Sequence, residues 1–532
     1  MSLIDALLLD AHRINVWIAV RTDSNKGCGT QSDPYNAKTA EQLDAILNTL
    51  PAYTTVHLGP GTFKTKGVRI ESNGTITAGC QIKRGWKLIG SGVQVTTLQL
   101  DGATTLDAHY YAVGHDFEDA DETIALADHA EVCELTIDCN LGGSGTVACG
   151  AVRLKGNHTR IRRVMIVNWG TKSTTTPCVA VASVISDPNS TLTDAVADAG
   201  IEECVALASD TASSRECTLF HVGNVPGSEQ VAESFGRNPF IRNCHIDPGD
   251  ALKDADIKAM VMGSCIQGKV EGNQVHRLRT GGPFLDNQSI RSIVVQSNVY
   301  RDVAYGTLWD VGQLSSAENV TGLERDGAKG WFTAASDMRL IVGDRIKITG
   351  GSGAFDGIFE VTKVNSATEY EYSDTRSSAG PTTGNLYKVF GIDNAEVKDN
   401  VIELRESTSG SLPIMGIHIV DGVLPAPPPY SNGSVRVVRN QIHYVNWVIG
   451  NGYSGRAIQI RGVKNVQVQD NTVNVDPANP IRDQRNGQVG YFNNRTPEGT
   501  LIRGYKEDTN QLYNELETDA EDALVLALFN RR

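Results

Sequence analysis

Val270-Glu271-Gly272-Asn273-Gln274-Val275, Val294-Val295-Gln296-Ser297-Asn298-Val299 and Val466-Gln467-Val468-Gln469-Asp470-Asn471-Thr472-Val473 are three copies of one phrase, an alternating apolar run with an asparagine just before its last turn. The phrase recurs around Asn243 (Ile241 to Ile246), Asn400 (Val397 to Ile402) and Asn440 (Val435 to Ile442). Successive asparagines are 30, 25, 102, 40 and 31 residues apart, a solenoid-like period broken by one long insertion. Alternation with period two is the signature of strands, and none of the copies shows the 3.6 period of a helical repeat. An asparagine at the bend bonds nearby backbone and tolerates left-handed dihedrals. Each copy is too short to bury its own apolar face, and stacking the copies builds one continuous core. Less regular rungs are expected earlier, at Val132–Cys139, Thr159–Asn168 and Cys217–Asn224.

With 53 glycines for bends and only 6% aromatic residues, such a core is filled mainly by Val, Ile, Ala, Thr and Leu. The 532 residues would suggest several globular domains, but a solenoid grows in length without enlarging its core. A net charge of -14 with no basic block excludes nucleic acid as the expected partner. No run of about 20 apolar residues exists to insert in a membrane. The ten cysteines all lie between Cys28 and Cys265 without a C-x-x-C pair, and those in strand-like phrases are expected to be buried free thiols. The start, Met1 to His12, does not read as a signal peptide. The expected location is extracellular or virion-associated by another route, with a cytoplasmic one left open.

Residues 1–53 are expected to form an N-terminal region with a helix from Thr39 to Leu50, opened by a Thr39/Gln42 capping box and burying Leu43, Ile46, Leu47 and Leu50 over the end of the stack. Together with Asp33-Pro34, the phrases Val56-His57-Leu58-Gly59-Pro60-Gly61-Thr62-Phe63, Leu88-Ile89-Gly90-Ser91-Gly92 and Leu135-Thr136-Ile137-Asp138 resemble the N-terminal part of pectate-lyase-like right-handed parallel β-helix proteins. The resemblance covers residues 20–310 and 390–480, and it implies an all-β, right-handed parallel β-helix. The family spans polysaccharide lyases, glycoside hydrolases, epimerases and phage tail proteins. The Asn-x-Asp, Asp-Asp and Gly-His-Gly series of its galacturonan hydrolases does not occur here in order. In the resemblance Asp138 sits at a bend, where turn stabilisation is the expected role.

The β-helix is expected over 54–310 and 389–480, with a small antiparallel β module of four strands inserted at 325–388. The glycine-rich Gly350–Gly357 joins two strands and is no phosphate loop. Within the C-terminal extension, 481–532, an amphipathic helix from Thr509 to Phe529 is expected to cap the stack or to join subunits as a homotrimer or other homo-oligomer.

Candidate chemistry is sparse. The excursion holding Asp116 and Glu118 also offers Tyr110 and Tyr111 as sugar-stacking rings, against a plain reading as a solvated acidic loop. A second group, Arg277, Arg279, Asp286, Arg291, Arg301, Asp302, Tyr305, Trp309 and Asp310, spans adjacent rungs. Arg277 and Arg279, neighbours on one strand face, suit a sugar carboxylate, Tyr305 and Trp309 suit sugar faces, and Asp286 and Asp310 are the acids available for glycoside cleavage. Ordinary rung-to-rung salt bridges account for the same residues. The functional expectation is a glycan-engaging or structural β-helix of a surface or phage-tail-like assembly. The alternative is a polysaccharide lyase or hydrolase; no cofactor is expected, apart from calcium if the chain is a lyase.

Overall fold

A computed structural model describes residues 14–70, 76–77, 79–101, 109–114, 128–143, 148–172, 181–185, 196–208, 217–223, 236–253, 255, 257–263, 265–278, 284–286, 290–311, 317–338, 340, 342–350, 353–389, 392–405, 415–421, 431–445, 456–474, 481–484, 488–502, 505–506 and 511–512. Its architecture is a right-handed parallel β-helix. A typical rung has three strands, as in Gly268–Glu271, Gln274–Leu278 and Phe284–Asp286, and each strand pairs in parallel with its counterpart one rung on. The strands therefore stack into a first, a second and a third face.

The apolar phrase becomes the core because its inward positions stack on their own kind. On the first face one file runs Ile161, Ile201, Ile241, Val270, Val295, Val397, Val437 and Val468. All eight are fully buried, and burial of each is worth about 1.5–3 kcal/mol over exposure. A parallel file on the second face runs Ile246, Val275, Tyr300, Ile402, Ile442 and Val473.

Between the first and second faces the chain turns through just two residues, and the asparagines sit there. Asn273, Asn298, Asn400, Asn440, Asn471 and Asn494 are 0–1% exposed. The Oδ1 of Asn298 accepts from both the backbone N and the Nδ2 of Asn273, at 3.0 Å each, and the same two bonds link every successive pair down to Asn494. Each Nδ2 also reaches a first-face carbonyl, as Asn400 does to Val295 O at 3.1 Å.

Two details correct the sequence reading. The left-handed residue is generally the one before the ladder asparagine: Ser297, Asp399, Arg439 and Asp470 have φ of 53–56°. Asn243 is such a residue (φ 53°), and the ladder place on its rung belongs to Cys244, whose N donates to Asn273 Oδ1 at 2.9 Å. Cys204 precedes Cys244 in the same file, and their thiols donate to Ile161 O and Ile201 O, where the asparagines use an amide. Among the described cysteines all are free, and only Cys28 is exposed.

The helix Ala40–Thr49 forms with its capping box intact, Gln42 N to Thr39 Oγ1 at 3.3 Å and Thr39 N to Gln42 Oε1 at 3.2 Å. Asp44 fastens it to the strand Gly61–Thr65 by accepting from Thr65 Oγ1 (2.7 Å) and Lys66 N (2.9 Å). The inserted module is a closed antiparallel barrel of six strands, from Glu318–Arg325 to Ala379–Val389. The sequence reading counted four because the hairpin Glu318–Arg325/Gly330–Ala334 hides in weak alternation; Asp326 closes it by accepting from Ala328 N and Lys329 N. Inside the barrel Lys388 and Asp344 form a buried ion pair at 2.6 Å. At the other end Gln511–Leu512, expected to be helical, instead pairs antiparallel with Tyr505–Lys506; the remainder of the expected 509–529 helix lies outside the described residues.

Candidate functional site

Much of the charge on the first face is paired. Several outward side chains are bridged to those of neighbouring rungs: Arg162 to Glu131 (2.8 Å), Arg242 to Glu202 (2.5 Å), Arg436 to Glu396 (3.2 Å) and, at the turn, Arg439 to Asp399 (2.8 Å). Asp138 is a turn stabiliser too, accepting from Gln99 Nε2, Asn140 N and Asn168 Nδ2 at 2.7–2.9 Å.

The third face collects several of the residues singled out in the sequence. Tyr110, Tyr111 and Tyr305 are 6%, 1% and 8% exposed, so the expectation of sugar-stacking rings fails for them: Tyr110 packs in the main core, Tyr111 lies under the Arg153 guanidinium and Tyr305 packs with Ala304 and Met415. Asp286 pairs in register with Trp309, Trp309 with Ile419 and Asp310 with Val420, but their side chains lie outside what is described. Asp116, Glu118 and Arg279 also lie outside the described residues.

Arg277 stands on the second face in a left-handed conformation (φ 60°) and is already committed. Its Nε donates to Asp247 Oδ1 at 2.7 Å, its Nη2 to Asp247 Oδ2, and its Nη1 lies 3.5 Å from Asp250. Burial works to raise the Asp247 pKa, but the Arg277 bonds and the Gly249 N–H outweigh it and hold the carboxyl below its ordinary range. This rung-to-rung bridge takes Arg277 out of contention for a sugar carboxylate.

The same face carries an accessible polar file that only register reveals. His276 pairs with Arg301, Arg301 with Glu403, Glu403 with His443 and His443 with Asn474. Each is three residues past a ladder asparagine, so the two-residue turn aims them all outward at the rung spacing, roughly 4.8 Å. Arg301 and Asn474 are exposed and the other three are half-buried. Burial, then the nearby His245 ring at 5.3 Å, push the His276 pKa down, which leaves its imidazole neutral and able to accept a proton near pH 7. Beside the file, Asp302 is held by Arg405 Nε at 2.7 Å.

No known family's sequence model matches the chain, and no curated protein does. Among solved structures it is similar to the A-module of the Azotobacter vinelandii mannuronan C-5 epimerase AlgE4, with 11% identity, a TM-score of 0.45, and 92% of this chain and 98% of that one covered. An alginate lyase from Paenibacillus sp. strain FPU-7 matches at 9% identity and a TM-score of 0.37, covering 76% of this chain and 93% of that one. A tailspike protein of E. coli bacteriophage HK620, solved with a pentasaccharide, matches at 9% identity and a TM-score of 0.25, covering 73% and 94%. Which residues act here is decided by this chain's own geometry.

Among the described residues no helix is long and apolar enough to cross a membrane, and no group of three His, Cys, Asp or Glu side chains is placed to hold a metal ion. Calcium fits the second face poorly, since Asp247 and Asp250 already face the Arg277 guanidinium and Asp302 faces Arg405, which among the described residues leaves Glu403 as a single uncommitted carboxylate.

Proposed function

We propose that the chain is a glycan-engaging β-helix protein that holds its ligand along the outer file of the second face. The observation that carries this reading is the unbroken run His276, Arg301, Glu403, His443 and Asn474, five hydrogen-bonding side chains on consecutive rungs of a straight, accessible surface. An extended polymer matches a straight row of regularly spaced donors and acceptors. Membership of a surface or phage-tail-like assembly, as a homotrimer or another homo-oligomer, extends the proposal. Light scattering after size exclusion tests that extension, and the mass of a single chain would remove it.

Hydrolysis is a poor fit to this face. Of the described acids on or beside the file, Asp247 is bonded to Arg277 and Asp302 to Arg405, and Asp247 is three rungs from Glu403, roughly 14 Å at the rung spacing, so Glu403 has no uncommitted carboxylate within the about 9.5 Å that glycoside hydrolysis uses. A polysaccharide lyase is the second reading, and one observation favours it: His276, with a lowered pKa, is register-paired with Arg301, a base beside a group that can neutralise a carboxylate. A panel of acidic and neutral polysaccharides, followed by binding, by ultraviolet absorbance from new double bonds and by reducing ends, tests both. Binding that Arg301→Gln and His443→Ala weaken supports the site. Binding that ignores both substitutions, or no binding across the panel, refutes it, and absorbance growth that His276→Ala abolishes selects the lyase.

A further inference from the structure

Where an arginine and a carboxylate face each other across neighbouring rungs, this protein usually joins them. Arg242 and Glu202, Arg436 and Glu396, Arg277 and Asp247, and Arg405 and Asp302 are all bonded. Arg301 and Glu403 are direct register partners on adjacent strands, yet no ion pair joins them, and among the described residues neither has another charged partner within bonding distance. A local irregularity accompanies the exception. The pairing slips after Arg301, where Asp302 adopts a left-handed conformation (φ 56°) and turns to Arg405.

The result is an ordered pair of opposite, uncompensated charges about one rung apart on the accessible file, with His276 beyond the cation and His443 beyond the anion. A purely anionic polymer would satisfy Arg301 but meet Glu403 and a chain of net charge -14; a purely cationic one would meet Arg301. A ligand that brings both charges satisfies both groups through charge-assisted hydrogen bonds. We infer that the second-face file is specific for a zwitterionic glycan, one whose repeat carries a free amine and an acidic group, with the acid against Arg301 and the amine against Glu403. This rests on the glycan reading above and narrows it to a ligand class.

The test is calorimetric titration of the full chain with partially de-N-acetylated hyaluronan, which carries free amines and carboxylates. Fully N-acetylated hyaluronan (acid only), chitosan oligomers (amine only) and dextran (neither) are the comparisons. The expected result is binding of the zwitterionic polymer about tenfold or more tighter than any other, the size of one charged hydrogen bond. Glu403→Gln should bring it level with fully acetylated hyaluronan, and Arg301→Gln level with chitosan. Equal or tighter binding of a single-sign polymer, or a preference that survives Glu403→Gln, overturns the inference. If dextran binds as tightly as the rest and His443→Ala weakens it, the glycan reading stands and the zwitterion inference falls. If none of the four polymers binds, both fall.

Discussion

Replacing Asn400 by leucine cuts the asparagine ladder at its middle, and the geometry sets the cost. The Asn400 Oδ1 accepts from Asn298 N and Nδ2 at 3.0 and 2.9 Å, while its Nδ2 donates to Val295 O at 3.1 Å and to Asn440 Oδ1 at 2.9 Å. Two of these partners have a second bond to fall back on. Asn298 Nδ2 keeps Val270 O (3.0 Å), and Asn440 Oδ1 keeps the backbone N of residue 400 (3.1 Å). The Asn298 N–H does not, and it lies where no water reaches. An orphaned buried donor costs about 1–3 kcal/mol and each further lost bond about 0.5–1.5 kcal/mol, against a partial return from the leucine's apolar surface; the net is a loss of about 3–5 kcal/mol. Urea unfolding followed by circular dichroism should show the midpoint falling at unchanged slope. A loss under about 1 kcal/mol would refute the claim that the ladder's side-chain bonds stabilise the stack.

Cys244→Asn should extend the ladder by one rung and raise stability by about 1 kcal/mol, whereas Cys244→Ala should lower it; a drop for both in the same assay would show that the site cannot seat an amide. Because Asp247 titrates below its unfolded value of about 3.9, its contribution is complete above that pH and is lost as pH falls through the lower folded value. Arg277→Gln should therefore flatten the loss of stability below about pH 4, and an unchanged acid limb would show the bridge to be idle. The depressed His276 pKa has the matching consequence for a base: the unfolded chain binds its proton first, so stability declines as pH drops below about 6.5, and the ring should titrate below that value by nuclear magnetic resonance. Replacing residues 316–390 with a short Gly-Ser linker should leave a cooperatively folded stack, because Ile290–Gln296 pairs directly with Ile392–Lys398; loss of soluble protein with native strand content would show that the barrel supports the rungs.

The fold was legible because its signal repeats. Period-two alternation and a returning asparagine specify both a strand and its bend, and the 102-residue gap marked the insertion. Register was harder to read by one residue. At Asn243 an asparagine fills the left-handed place and a cysteine the ladder place, while Asn494 was overlooked because its copy, Gln488–Phe492, carries aromatics where the others carry valine. The candidate site was mostly illegible. Tyr110, Tyr111 and Arg277 have the right chemistry, but neighbouring rungs consume it in packing or an ion pair. His276, Glu403 and His443 are unremarkable where they stand in the sequence, and they align only when each is counted three places from its own ladder asparagine.

The rungs also have a direction in time. Strands of each rung bond to the rung before and the rung after, so a chain emerging from the ribosome can add turns to a template already made. That continuity is interrupted once. After Tyr305–Val311 is laid down, the next strand on the first face, Ile392–Lys398, arrives only when the whole barrel has been synthesised, since the barrel closes by pairing Glu318–Arg325 with Ala379–Val389. At roughly 5–20 residues per second the edge of Ile290–Gln296 then waits several seconds with its backbone groups open to any passing strand. A barrel that folds slowly lengthens that exposure, so destabilising the insertion is expected to lower the yield of nascent protein more than the stability of the finished one.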